Sequence, residues 1–123
     1  MDRHRRVFEI VDRDLDGAPG VALAGEADVA CVPELTEALD AAIRDSEGAF
    51  VVDLTDLDFL DSSGLSALLR ARALLGQSDR AMAVICPIGP VLRLFKLSGV
   101  DDLLFLFRSR EEAAAALVPP PSV

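Results

Sequence analysis

The chain has 123 residues, 51% hydrophobic and 27% charged, with a net charge of −9; it fits one globular domain. The acidic excess argues against nucleic-acid binding, which leans on Lys and Arg to neutralise phosphates. No apolar run is long enough for a membrane span, and the basic start Met1 to Arg6 is not followed by the apolar stretch of a signal peptide, so a cytoplasmic location is expected.

In chain order, residues 7–11 alternate and predict a strand, and residues 21–25 a second, joined by a hairpin-like connection through Gly17, Pro19 and Gly20. Residues 26–28 lead into a helix with Pro33 in its first turn; Leu35, Leu39, Ala42 and Ile43 form its inner face and Gly48 is a natural stop. Residues 49–54 are an apolar run suited to a buried central strand, followed by an Asp-rich loop. Ser62 to about Leu75 predicts a second helix, with Leu65, Leu68, Leu69 and Leu75 inward and Arg72 reaching out of the same stripe. Residues 82–86 read as a strand. Pro90 opens a third helix ending at Ser98-Gly99, with Val91, Leu94 and Phe95 inward. Residues 103–107 predict a last strand. Ser109 and Glu112 form a capping box for an Ala-rich helix to Val118.

The expected order β-β-α-β-α-β-α-β-α is that of a single α/β domain, a mixed and mainly parallel sheet packed against helices. Its bounds are 7–118, between a basic tail at 1–6 and a Pro-rich tail at 119–123. With no Trp or Tyr, the core falls to Leu, Val, Ile and Ala. Cys31 and Cys86 lack C-x-x-C spacing and read as small hydrophobes. From Glu9 to Asp61 there are fifteen acids against Arg13 and Arg44; from Ser62 onward, five acids against seven bases. An acidic half suits a basic protein partner, or simply keeps the chain soluble.

The informative segment is Asp53 to Leu65. A buried strand ends, the chain turns outward, and Ser62 and Ser63 open the next helix. Open α/β sheets place their sites at such strand ends. A phosphate on a hydroxyl there would meet free backbone N–H groups and the positive end of the helix dipole. It would also add roughly −1.5 to −2 charges beside Asp56, Asp58 and Asp61. Asp61 or Ser62 can serve as the helix cap, and a helix needs only one. Gly64 costs a helix about 1 kcal/mol relative to Ala; a closely approaching partner, or a tight local turn, would justify it.

Residues 57–65, Leu-Asp-Phe-Leu-Asp-Ser-Ser-Gly-Leu, resemble the phosphorylation segment of bacterial anti-sigma-factor antagonists, which carry the STAS domain. Gly25-Glu26-Ala27-Asp28 is similar to the family's G-E-L-D turn, with Ala27 in place of Leu. Pro33-Glu34-Leu35 resembles the start of its first helix, and residues 90–99 resemble its third helix. The resemblance covers nearly the whole chain in the right order. It implies a STAS fold and a non-enzymatic partner switch: the unmodified antagonist binds an anti-sigma factor that is also a serine kinase, and a sigma factor is released. The kinase then phosphorylates the antagonist and a protein phosphatase restores it. Stress response and sporulation are the settings in which such switches work. By position the acceptor would be Ser63, and Asp28, Asp58, Asp61, Ser62, Ser63, Gly64 and Leu65 would form the partner surface. No cofactor, metal, membrane or nucleic acid is implied, and the protein is expected as a monomer or weak dimer.

A serine hydrolase fails on chemistry: the segment is not G-x-S-x-G, and the sole histidine, His4, lies in the N-terminal tail. Asp53, Asp56, Asp58 and Asp61 lack the alternate oxygens, Gly and closing Glu of a calcium loop, and there is no Gly-rich phosphate loop. The competing reading within the same fold is a STAS subunit of a stressosome scaffold or of a lipid or anion transporter complex. The absence of an extra N-terminal domain disfavours the scaffold, and the Ser-Ser pair favours the switch.

Overall fold

The computed structural model describes residues 6–117; most of the basic tail, the expected helix end at Val118 and the Pro-rich tail lie outside the described residues. The elements are β1 (Glu9–Leu15), β2 (Ala18–Ala27), a 3-10 turn (Val29–Cys31), α1 (Val32–Arg44), β3 (Phe50–Leu60), α2 (Ser62–Gly76), β4 (Met82–Ile85), α3 (Pro90–Leu97), a second 3-10 turn (Asp101–Leu103), β5 (Phe105–Phe107) and α4 (Arg110–Leu117). The order matches the sequence expectation. The sheet runs β1-β2-β3-β4-β5, with β1 antiparallel to β2 and every other neighbour parallel.

The first hairpin is tighter than expected. Leu15 pairs with Ala18, so the turn is Asp16-Gly17 alone. Both residues have positive φ, 49° and 94°, which is what Asp-Gly supplies at a two-residue hairpin turn. Pro19 and Gly20 belong to β2, paired with Asp14 and Arg13.

Strand β3 is the spine of the domain. Its first residues alternate between faces: Val52 and Leu54 join α1, α2 and α3 in the main core, around Leu35, Leu39, Leu68, Leu75 and Phe95. Val51 faces the other way and joins Ala83 and Ile85 under Ala113 of α4. Burial on both faces explains why these first residues are apolar apart from Asp53. The Asp-rich segment beyond it is strand too, which corrects the expected loop. β2 continues alongside, pairing Gly25 with Leu57 and Ala27 with Leu60, and two register irregularities keep Leu57 and Leu60 inward.

Other boundaries shift for local reasons. α1 ends at Arg44, before Gly48. Its last carbonyls are taken instead by Ser46, whose hydroxyl donates to Ala42 O at 2.7 Å, and by Arg80, which donates to Ile43 O at 2.8 Å. Arg72 is exposed, and the small residues Ala67 and Ala71 occupy the inner face of α2 beside the leucines. β4 stops at Ile85 and the second 3-10 turn takes the expected start of β5. At α4 the Ser109 hydroxyl accepts from Glu112 N (3.1 Å), while the Glu112 carboxylate accepts from Arg108 N (3.4 Å), one residue upstream of a regular capping box. Cys31 and Cys86 are free thiols; burial pushes Cys86 up to about 11 against a lowering by Arg108.

Candidate functional site

β2 and β3 end side by side, with Ala27 opposite Leu60 and the Asp61 N–H donating to Ala27 O at 3.2 Å. The turn that follows β2 therefore packs against the helix that follows β3. Asp28 opens the 3-10 turn: its carboxylate accepts from Ala30 N at 3.0 Å and from the Cys31 thiol at 3.5 Å. Asp61 caps α2, accepting from Gly64 N at 3.0 Å. Two of the expected partner-binding acids are thus also structural caps.

Because Asp61 does the capping, neither serine hydroxyl is used by the fold; among the described residues neither makes a hydrogen bond. Ser62 is exposed and Ser63 half-buried, so Ser62 rather than Ser63 is the more open hydroxyl. Gly64 and Leu65, expected on the partner surface, are buried. A Cβ on Gly64 would collide with the side chain of buried Leu60. A larger residue there would have to displace that leucine side chain, so local packing favours the glycine, and both residues lie beneath the surface.

The four acids of the Asp-rich segment separate into different tasks. Asp53, 2% exposed, accepts from Arg110 Nε at 2.6 Å and from the backbone N–H and hydroxyl of Thr55. Burial pushes its carboxyl up, but the Thr55 and Arg110 hydrogen bonds outweigh that and hold it below the ordinary value. Asp56 lies 3.7 Å from the same Arg110. Asp58 is exposed and pairs with Arg6 at 3.1 Å. Among the described residues no three metal-ligating side chains converge. The capping role of Asp61 has a direct test: Asp61→Ala should cost about 1 kcal/mol in urea unfolding, and Asp61→Ser should recover most of it.

Sequence reasoning missed the apolar side chains at this end of the sheet. Val29 follows β2, Phe59 is the penultimate residue of β3 and Ile88 follows β4, exposed by 66%, 42% and 86%. Period-two alternation places Phe59 on the face of Leu57 and gave no signal; the register irregularity between Gly25 and Glu26 accompanies its exposure, whereas Ile88 was visible as an apolar residue isolated between Pro87 and Gly89. Two capped turns, two unengaged hydroxyls and exposed apolar side chains lie at this end of the sheet, and among the described residues no side chain hydrogen-bonds to either serine as a base would.

A family model described as "Mlab, STAS domain" matches residues 11–106. The chain belongs to the STAS-domain family of anti-sigma-factor antagonists. The anti-sigma-B factor antagonist of Staphylococcus aureus is 31% identical over 91 residues, covering 74% of this chain and 84% of that protein. The crystal structure of an anti-sigma factor antagonist from Mycobacterium paratuberculosis superimposes with a TM-score of 0.82 at 30% identity, covering 90% of this chain and 94% of that one. The Bacillus protein SpoIIAA in its phosphorylated form shares the fold, with a TM-score of 0.65 at 22% identity, over 91% of this chain and all of that one. As a STAS domain of this family the protein is a regulatory binding protein and not an enzyme. No helix among the described residues is long and apolar enough to cross a membrane.

Proposed function

We propose that this STAS domain antagonises an anti-sigma factor that is also a serine kinase. It works in the cytoplasm as a monomer or weak dimer. The unmodified form binds the anti-sigma factor and frees a sigma factor; phosphorylation at Ser63 ends that binding, and a protein phosphatase restores it. The observation that carries the reading is that Asp61 caps α2 and leaves both serines unengaged at the open end of the sheet. A phosphate there gains the unpaired N–H groups of the first turn without displacing a fold contact. Ser63 is chosen over the more exposed Ser62 by its place in the D-S-S-G segment, and as a half-buried residue it needs the kinase to draw it outward.

The test is incubation of the purified protein with each anti-sigma kinase of its own cell and ATP, mapping phosphate by mass spectrometry. Ser63→Ala should abolish incorporation and Ser62→Ala should retain most of it. Equal labelling of the Ser63→Ala protein would sink the assignment. A STAS subunit of a stressosome scaffold or a transporter complex is distinguished by co-purification with a transporter ATPase or scaffold subunits in place of a histidine-kinase-like anti-sigma factor.

A further inference from the structure

The chain enters the sheet at the end where β2 and β3 finish. β1 runs antiparallel to β2, with Glu9 opposite Ala24, so the residues before Glu9 continue along β2 toward its end at Ala27. They are held there by the fold. Phe8 is buried in the main core, and the Arg6 carbonyl accepts from Glu26 N at 3.3 Å. The Val7 carbonyl lies where a Cβ on Gly25 would go, and Gly25 has a φ of 83°. A side chain is excluded at Gly25 on both counts, so the crossing of this segment over β2 is built into the backbone.

What the crossing delivers is a cation. The Arg6 guanidinium meets the Asp58 carboxylate at 3.1 Å and donates to the Asp56 carbonyl at 3.4 Å. Both partners of the ion pair are about half open to solvent, and a pair so exposed adds little to stability. The fold does not depend on it. It nevertheless covers Asp58, one of the acids expected on the partner surface, and stands beside Glu26, two residues before Asp28. Arg3, His4 and Arg5 come before Arg6, and three residues reach no more than about 10 Å from it.

We propose that Arg6 is an intramolecular competitor for the antagonist's acidic partner surface, with Arg3 and Arg5 adding to its charge. Arg6 holds Asp58 in the free protein, and the anti-sigma factor docks by placing a Lys or Arg of its own on Asp58 in its stead. An open acidic surface attracts basic proteins at large. A covered one admits only a partner whose cation comes with further contacts, so the arm lowers affinity and raises selectivity. A weak ion pair suffices, because a tethered group acts at an effective concentration of about millimolar. An arm that covers the acids in about nine-tenths of the molecules lowers the partner's affinity about tenfold. This rests on the function proposed above, and the experiment separates the two.

Calorimetry gives the affinity of the unphosphorylated protein for each purified anti-sigma factor of its own cell. The variants are Arg6→Ser, the triple Arg3→Ser with Arg5→Ser and Arg6→Ser, and Arg13→Ser. Arg13 is exposed on β1 opposite Gly20, about 20 Å down β2 from Glu26, and reports the effect of net charge alone. Arg6→Ser should bind about threefold more tightly and the triple variant about tenfold, while Arg13→Ser binds like wild type. Melting temperatures should stay near wild type, because Arg6 is exposed. In an Asp58→Asn background the gain from Arg6→Ser should vanish, which a general loss of positive charge would not produce. The gain should also shrink as salt rises. If Arg6→Ser binds no more tightly than wild type, if Arg13→Ser matches its gain, or if the gain survives Asp58→Asn, the competitor is wrong and the function stands. If neither the wild type nor the triple variant binds any anti-sigma factor, both are wrong.

Discussion

A Ser63→Asp protein is expected to bind the anti-sigma factor about a hundredfold more weakly than wild type while keeping the same fold. Position 63 sits in the first turn of α2, where free N–H groups and the helix dipole stabilise an anion. Asp61 follows Leu60 directly into that turn, and Asp28 stands in the turn packed against it. Their charges oppose the new one, so the two effects offset and the net change in stability stays small. Asp56 adds little to this repulsion, because it faces Arg110. At a protein interface the balance is different. A desolvated, poorly matched charge costs several kcal/mol, and each 1.4 kcal/mol is a factor of about ten in affinity. Calorimetry gives the affinity and backbone amide shifts report the fold. Shifts should cluster around Asp28 and residues 58–68. Shifts spread through α4 would mean that the domain rearranges, and the electrostatic mechanism would be wrong.

Arg110→Ala should destabilise the domain by about 2 kcal/mol. The substitution leaves Asp53 buried with only Thr55 as partner, and an uncompensated buried carboxylate is expensive. Arg110 is itself partly exposed, with 38% of its side chain open to solvent, so the estimate lies below that for a fully buried pair. The contact also ties the first residue of α4 to the central strand, and amide exchange in α4 should speed up in the variant. The pH dependence has a definite sign. In the wild type the Asp53 carboxyl lies below its ordinary value of 3.8, so its stabilisation is present above that pH and is lost as pH falls through the lower folded value. Without Arg110 that depression is reduced or reversed. The stability gap between the two proteins, measured by urea unfolding, should therefore narrow below about pH 4. A gap that stays constant down to pH 3 would mean that the Arg110 effect does not act through Asp53.

The sequence by itself determined the element order, the mixed sheet and the segment that matters, because each rests on local chemistry. Helix α3 starts at Pro90 and turns at Gly99 with φ 71°; residues 50–54 are apolar apart from Asp53 because that strand is covered on both faces; and the two serines fall where a strand hands over to a helix. What only the tertiary structure decided were relations between residues far apart in the chain. Strand β3 runs on through the Asp-rich residues because β2 continues beside it and supplies the hydrogen bonds, a support that no local pattern encodes. The four aspartates look alike in sequence, yet one is buried against Arg110, 57 residues away, another meets Arg6, 52 residues away, and a third caps a helix. Gly64 reads as room for a partner until Leu60 is seen packed against it. Local preference sets each element, but burial and charge pairing depend on which elements meet, and that is settled when the chain closes on itself.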